Sequence, residues 1–323
     1  MSVAYQEDAP IELAGTRRPV PHRRYLALLI IPPLLGYLFC FFLVRMPGYE
    51  RWGGSQFGPV LDYAFQTANQ NADVVIFGDS SALFGVDPIQ MGRDLNLKVV
   101  NLPNTIGGLP VIGDMALERY IARNHPPKMI VFFFCAWDLN YEGVTGTRLF
   151  EGEEMLARHG SWSKIAHYGL AHPQEVLYFP FRVYSTLGFS SLKHLFQTGG
   201  PTPIVAAFHG HIANYFTFPP LASDCTIPAS DIAEHRAASV QALMAKYSTP
   251  QTTTMLYLAP VPGCQNAREL LSAVRGNLHT APPAVFPASD FTADGYYAHL
   301  RSGATPAATE LAAAAVRPYL DPK

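Results

Sequence analysis

The stretch DVVIFGDSS, residues 73–81, decides the fold. Its first five residues are almost wholly apolar and do not alternate with polar ones. That pattern fits a short strand buried on both faces, as in a parallel sheet, rather than a half-exposed one. The run stops at Gly78, and Asp79-Ser80-Ser81 follows at once. Three further runs have the same character: Lys98–Leu102 (KVVNL), Lys128–Phe134 (KMIVFFF) and Thr252–Leu258 (TTTMLYL). The third strand is the most apolar and is placed in the middle of the sheet.

Helical spacing separates these runs. Leu109–Arg123 carries Ile112, Met115, Ala116 and Arg119 along one side. Asp231–Tyr247 opens on a capping-box-like Asp231/Glu234 pair and continues with the stripe Val240, Leu243, Met244, Tyr247. Pro306–Tyr319 reads as a terminal helix with Thr305 as N-cap. Strands joined through helices imply βαβ units, hence an α/β fold with a mostly parallel sheet. Sites on such sheets lie beyond the carboxyl ends of the strands.

Outside this region, Tyr25–Val44 (YLALLIIPPLLGYLFCFFLV) carries no charge. A helix of about 20 such residues crosses a hydrocarbon core of about 30 Å. Arg17, Arg18, Arg23 and Arg24 precede it, which favours an N-terminus on the cytoplasmic side. No small-residue cleavage site follows Val44, so the segment reads as a retained anchor and not a signal peptide. The organisation is therefore a cytoplasmic tail (1–24), a transmembrane helix (25–45), a linker (46–70) and a domain (71–323). Residues 141–226 interrupt the strand–helix rhythm and read as an insertion over the sheet ends. The expected location is the inner (cytoplasmic) membrane, single-pass, with the domain periplasmic or extracellular.

Composition narrows the function. The chain has 323 residues, 49% apolar and 15% charged, with a net charge of −2. It can bury a sizeable core, and it has no global positive field to recruit nucleic acid. His209-Gly-His211 lacks the Cys or carboxylate companions a zinc site requires, so no metal is assigned, and no cofactor. Tyr178, Phe179, Phe181 and Tyr184 read as core before sugar platform, and Trp162 is open to either reading. Cys225 and Cys264 sit in loop-like surroundings and can pair in an oxidising compartment; two separate thiols is the alternative.

Two segments carry chemistry. A serine on the tight turn after a buried strand, as Ser80 is, projects its hydroxyl at the top of a sheet beside backbone N–H groups. Near the other end, Asp290-Phe-Thr-Ala-Asp294-Gly-Tyr-Tyr-Ala-His299 places a histidine before the terminal helix with two carboxylates upstream. That order suits a base whose imidazole is held by an acid.

Taken together, the strand with GDSS, then NLPNTIGG, FFFCAWDLN, LAPVPGC and D…HLRSGA with its helix resembles the GDSL/SGNH hydrolase family. It looks most like membrane-anchored members linked to O-acylation of bacterial surface polysaccharides. The resemblance covers roughly 71–140 and 252–320. It implies a three-layer, flavodoxin-like domain, Ser80 as nucleophile, His299 as base, and an oxyanion hole from the Ser80 N–H with Gly107 or Gly108. It also implies a polysaccharide substrate or acceptor, and a membrane acyltransferase as partner. Two positions depart from the family. Trp137, in Cys135-Ala136-Trp137-Asp138, stands where an oxyanion-donating Asn is expected, leaving Asn104 or Asn140 as substitutes. Tyr296 stands where the family has its acid, leaving Asp294 or Asp290. Asp79 and Asp138 complete the candidate set.

The leading expectation is a serine esterase or O-acyl(acetyl)transferase. The departures motivate a different class, a catalytically weak or inactive glycan-binding component of an envelope assembly. A general extracytoplasmic esterase or lipase is the third.

Overall fold

A computed structural model describes residues 22–47, 58–106, 108–139, 149–175, 209–212, 218–232, 234 and 236–320. The chain divides into two compact units, Met1–Phe39 and Cys40–Lys323. In the first, the described residues belong to helix α1 (His22–Val44), whose remaining turns belong to the second unit. With a mean hydropathy of 2.4, α1 is long and apolar enough to cross a membrane. Pro32 and Pro33 lie inside it. The tail before residue 22 lies outside the described residues.

The second unit is built on four strands: β1 (Val74–Gly78), β2 (Val99–Pro103), β3 (Met129–Phe134) and β4 (Thr253–Leu258). They pair in the order β2-β1-β3-β4, every pair parallel. All residues of β1, β2 and β3 are buried, as their continuous apolar runs predict. The third strand is interior, between β1 and β4.

Side chains alternate between the two faces of the sheet. On one face Val75, Phe77, Val100, Leu102, Ile130, Phe132 and Phe134 join the larger core. Helices α2 (Gly58–Phe65), α6 (Met115–Ile121) and α9 (Arg236–Tyr247) pack there, and α10 (Ala267–Leu278) adds Leu270, Val274 and Leu278 to the same core. On the other face Val74, Ile76, Val99, Met129, Val131 and Phe133 meet α4 (Pro88–Leu95) through Met91 and α11 (Thr305–Leu320) through Ala312, Ala313 and Val316. The sheet is thus covered on both sides.

Several element boundaries differ from the sequence reading. The helix expected over Leu109–Arg123 is two: α5 (Leu109–Ile112), a break at Gly113-Asp114, and α6. Asp114 accepts from Lys246 Nζ at 2.6 Å and Tyr247 Oη at 2.6 Å, so the break is anchored to α9. The helix expected from Asp231 starts at Arg236, and Asp231 instead ends a 3-10 turn at Ala229–Asp231. Thr305 is the first residue of α11, and its hydroxyl donates to the carbonyl of Phe84 at 3.0 Å.

The expected linker contains α2, with Val60, Leu61, Tyr63, Ala64 and Phe65 buried. The expected insertion contributes α7 (Phe150–His159) and α8 (Trp162–Ala171). Helix α7 is tied to α2 by a buried ion cluster. Asp62 meets the Arg158 guanidinium at 2.5 Å and the His159 imidazole at 2.6 Å, and Phe65 stacks on His159 with centroids 4.3 Å apart. Burial lowers the His159 pKa, with the Asp62 carboxylate opposing that shift. Part of the insertion is therefore core. Tyr178, Phe179, Phe181 and Tyr184 lie outside the described residues.

Chain order gives the site its place. The chain runs from β1 to β2 on one side, then crosses to β3 on the other. The junction of β1 and β3 is thus a switch point, where ligands of such sheets bind in the crevice beyond the strands' carboxyl ends.

Candidate active site

The β1 end fixes Ser80. A Cβ on Gly78 would sit 1.7 Å from the carbonyl oxygen of Phe133, so only glycine lets β1 approach β3 this closely. Asp79 then caps the short helix α3 (Ser80–Gly85) by accepting from Ser81 N–H at 2.8 Å. Its carboxyl also accepts from the Ser81 hydroxyl and, at 3.0 Å, from Cys135 N–H at the end of β3. Full burial pushes the Asp79 carboxyl above its ordinary value, against these hydrogen bonds. Asp79 is a clamp that holds the Ser80 turn to β3. Ser80 is left at the first helical position, 7% exposed.

The partner comes from the other end of the chain. His299 Nε2 lies 2.7 Å from Ser80 Oγ, and its Nδ1 lies 2.5 Å from Asp294 Oδ2. A carboxylate at Nδ1 assigns the proton there, which leaves the Nε2 lone pair facing the serine hydroxyl. His299 is 3% exposed, with the ring of Phe84 edge-on at 4.8 Å.

The loop bearing this pair is closed like a hairpin. Phe291 and Leu300 form an antiparallel bridge, and Thr292 N–H donates to the His299 carbonyl at 3.0 Å. Gly295 at φ +85° and Tyr297 at φ +58° turn the chain inside it. These left-handed residues fold the chain back so that Asp294 and His299, five residues apart, meet. Besides His299, Asp294 accepts from Thr292 Oγ1 at 2.8 Å and Tyr296 N–H at 3.0 Å. Burial raises its carboxyl, but the hydrogen bond and charge of His299, with the other donors, leave the pKa below its ordinary value. Asp290 contributes its backbone carbonyl to Arg301 N–H at 2.8 Å; the carboxylate beside His299 is that of Asp294.

The remaining candidates fall into place around this chain. Trp137 does not aim its donor at the crevice: Nε1–H donates to the Tyr296 carbonyl at 3.1 Å and holds the acid–base loop to the β3 end. Gly108 departs from its expected role. Its N–H is taken by the Thr105 carbonyl and hydroxyl, each at 3.0 Å, leaving the Ser80 N–H as the described oxyanion candidate. Asn104 also serves its own loop, accepting from Thr105 N–H at 2.8 Å, while its backbone N–H donates to the Gly78 carbonyl at 2.8 Å. Asp138 is buried and its N–H donates to the Cys135 carbonyl at 3.1 Å. Gly107 and Asn140 lie outside the described residues.

Sequence reasoning missed Thr292 and Glu151. The Glu151 carboxylate accepts from Thr105 Oγ1 at 2.6 Å, and burial raises its pKa. Thr292 had a readable signal, a hydroxyl two residues before an acid in a turn. Glu151 had none, because the contact crosses from α7.

Cys225 and Cys264 form a disulfide, with Cα atoms 4.9 Å apart. Cys40 and Cys135 are buried and take no part in this disulfide. His211 donates from Nδ1 to the Leu83 carbonyl at 2.8 Å. Among the described residues no group of His, Cys, Asp and Glu is placed to hold a metal ion.

No protein-family model, curated protein or solved structure matches the chain.

Proposed function

We propose that this chain is a serine-dependent esterase or O-acyl(acetyl)transferase of the GDSL/SGNH kind. In this reading α1 anchors it in the cytoplasmic membrane, and residues 46–323, a three-layer flavodoxin-like domain, lie in the periplasm or outside the cell. The observation that carries the proposal is the hydrogen-bonded chain Ser80 Oγ–His299 Nε2 and His299 Nδ1–Asp294 at the switch point of the sheet. Nucleophile, base and orienting acid are in the order acyl transfer needs.

In the reaction this arrangement supports, Ser80 Oγ attacks the ester carbonyl carbon while its proton passes to His299 Nε2. The carbonyl π pair moves onto oxygen, which the Ser80 N–H faces. Asp294 stabilises the imidazolium and keeps its orientation. Collapse restores the carbonyl and expels the alcohol, which takes the proton from His299, leaving the acyl group on Ser80. Water or a sugar hydroxyl then attacks with His299 again as base. Hydrolysis and transfer differ only in that acceptor. A cell-surface polysaccharide is the proposed substrate or acceptor, supported by the anchor and the motif resemblance. A membrane acyltransferase is the proposed acyl source.

A simple activated ester tests the chemistry. Full-length protein should hydrolyse p-nitrophenyl acetate, and Ser80→Ala of unchanged stability should fall to the uncatalysed rate. Equal rates in the two proteins would remove Ser80 from the reaction and favour the glycan-binding alternative.

A further inference from the structure

Helix α8 is an exposed element with an apolar side. None of its residues is buried, and Trp162 and Leu170 are 67% and 85% exposed. At about 100° per residue, Trp162, Ala166, Gly169 and Leu170 fall within about 100° of arc, Lys164 lies opposite and His167 about 110° from the centre of that arc, while Ile165 packs toward the protein. Lys164 binds Glu118 of α6 at 2.5 Å, so its side of the helix faces the protein and water.

The start of α8 is fixed to the end of the apolar helix. The ring of Phe41, in the last turn of α1, stacks on Trp162 with centroids 5.0 Å apart and an interplanar angle of 26°. The Arg45 guanidinium lies 4.4 Å from the Phe41 ring centre and 5.5 Å from that of Trp162. Arg45 also donates to the carbonyls of Ala157 at 2.5 Å and Gly160 at 3.0 Å, in the turn between α7 and α8. Phe41 and Val44 are buried with Ala157, and Ile165 packs against them. Trp162 therefore sits within a side chain's reach of the point where the uncharged run ends. Tryptophan beside arginine at such a level is the arrangement expected where hydrocarbon gives way to headgroups.

We propose that α8 lies in the membrane–water interface, with its Trp162–Leu170 side against lipid; this rests on the reading of α1 as a membrane span. Leu170 stands about 12 Å further along the helix axis than Trp162. A helix lying along the bilayer surface keeps both at the same depth, with His167 turned to water. A bilayer is the occupant because the face continues directly from the end of the span.

The test uses full-length protein in phosphatidylcholine/phosphatidylglycerol nanodiscs, with a nitroxide at Leu170→Cys, His167→Cys or Leu34→Cys. Collision with dissolved oxygen reports lipid, and collision with a water-soluble nickel chelate reports solvent. The expected oxygen-to-nickel ratio is severalfold higher at Leu170 than at His167, and higher still at Leu34. Equal ratios at Leu170 and His167, with Leu34 in lipid, would overturn the interfacial placement while the anchor stands. Leu170 shielded from both reagents would mean a protein partner and also overturn it. Nickel access at Leu34 would bring down the anchor reading and this proposal together.

Discussion

The indole Nε1–H of Trp137 donates to the backbone carbonyl of Tyr296 at 3.1 Å, so the end of β3 is bonded to the loop that carries Asp294 and His299. Trp137 thereby tethers the acid–base loop, in which Asp294 and His299 stand five residues apart, to the sheet.

Trp137→Phe keeps most of the ring and removes the donor. A hydrogen bond of about 1 kcal/mol corresponds to roughly a fivefold fall in kcat. KM should change little, because the variant loosens the acid–base loop rather than a binding surface. Trp137→Asn, which removes both the ring and the tether, should be no more active than Trp137→Phe. Steady-state kinetics on both variants check this, and a gain of activity in Trp137→Asn would contradict the tether.

The orienting acid can be identified by comparison. Asp294→Asn should lower kcat by up to about 10⁴, the scale seen when an amide replaces a triad carboxylate and fixes the wrong tautomer. Asp290→Asn should stay within a few-fold of wild type, since its carbonyl does the bonding. Thr292→Val removes one donor from Asp294 and should fall between them. Reversed effects at Asp290 and Asp294 would reassign the acid.

The lowered pKa of Asp294 has a defined sign in stability. Its folded value lies below its unfolded one, so the contribution is fully present above the ordinary carboxylate pKa of about 4 and is lost as pH falls through the folded value. Asp79 acts oppositely: its folded value is raised, so its contribution is present at low pH and declines as pH rises through that value. Thermal melts of wild type and Asp294→Asn should therefore converge as the pH is lowered below about 4. A constant difference across that range would contradict the assignment.

The disulfide closes a loop of sequence separation 39. In the chain-entropy model that contributes about 4 kcal/mol. Cys225→Ser/Cys264→Ser should lose about that much in denaturant unfolding, with the wild type under reductant matching the variant. Unchanged unfolding midpoints would show the bond to be energetically idle.

The strands were legible because buried parallel strands are written as unbroken apolar runs, as in Val74–Gly78 and Met129–Phe134. Ser80 was legible because it directly follows β1, and His299 because two carboxylates precede it and the terminal helix follows. Helix α2 was not, because its eight residues are too few to establish a period. Nor was the break at Gly113-Asp114, because the apolar spacing continues across Gly113, which turns the chain at φ +50°, and the partners that anchor Asp114, Lys246 and Tyr247, lie on another helix. The use of the Gly108 N–H by Thr105 and the capture of the Trp137 indole by Tyr296 depend on how loops fold back, which residue type alone does not encode.

The most direct measurement is active-site labelling of the folded, full-length protein with a fluorophosphonate, followed by peptide mass spectrometry. The Ser80–His299 geometry predicts a single phosphonylated residue, Ser80, with labelling abolished in Ser80→Ala and strongly slowed in His299→Ala. Because the two residues act as a unit, adding Ser80→Ala to His299→Ala should remove little further activity. Folded protein that takes no label at Ser80, or labels equally fast without His299, would contradict the account.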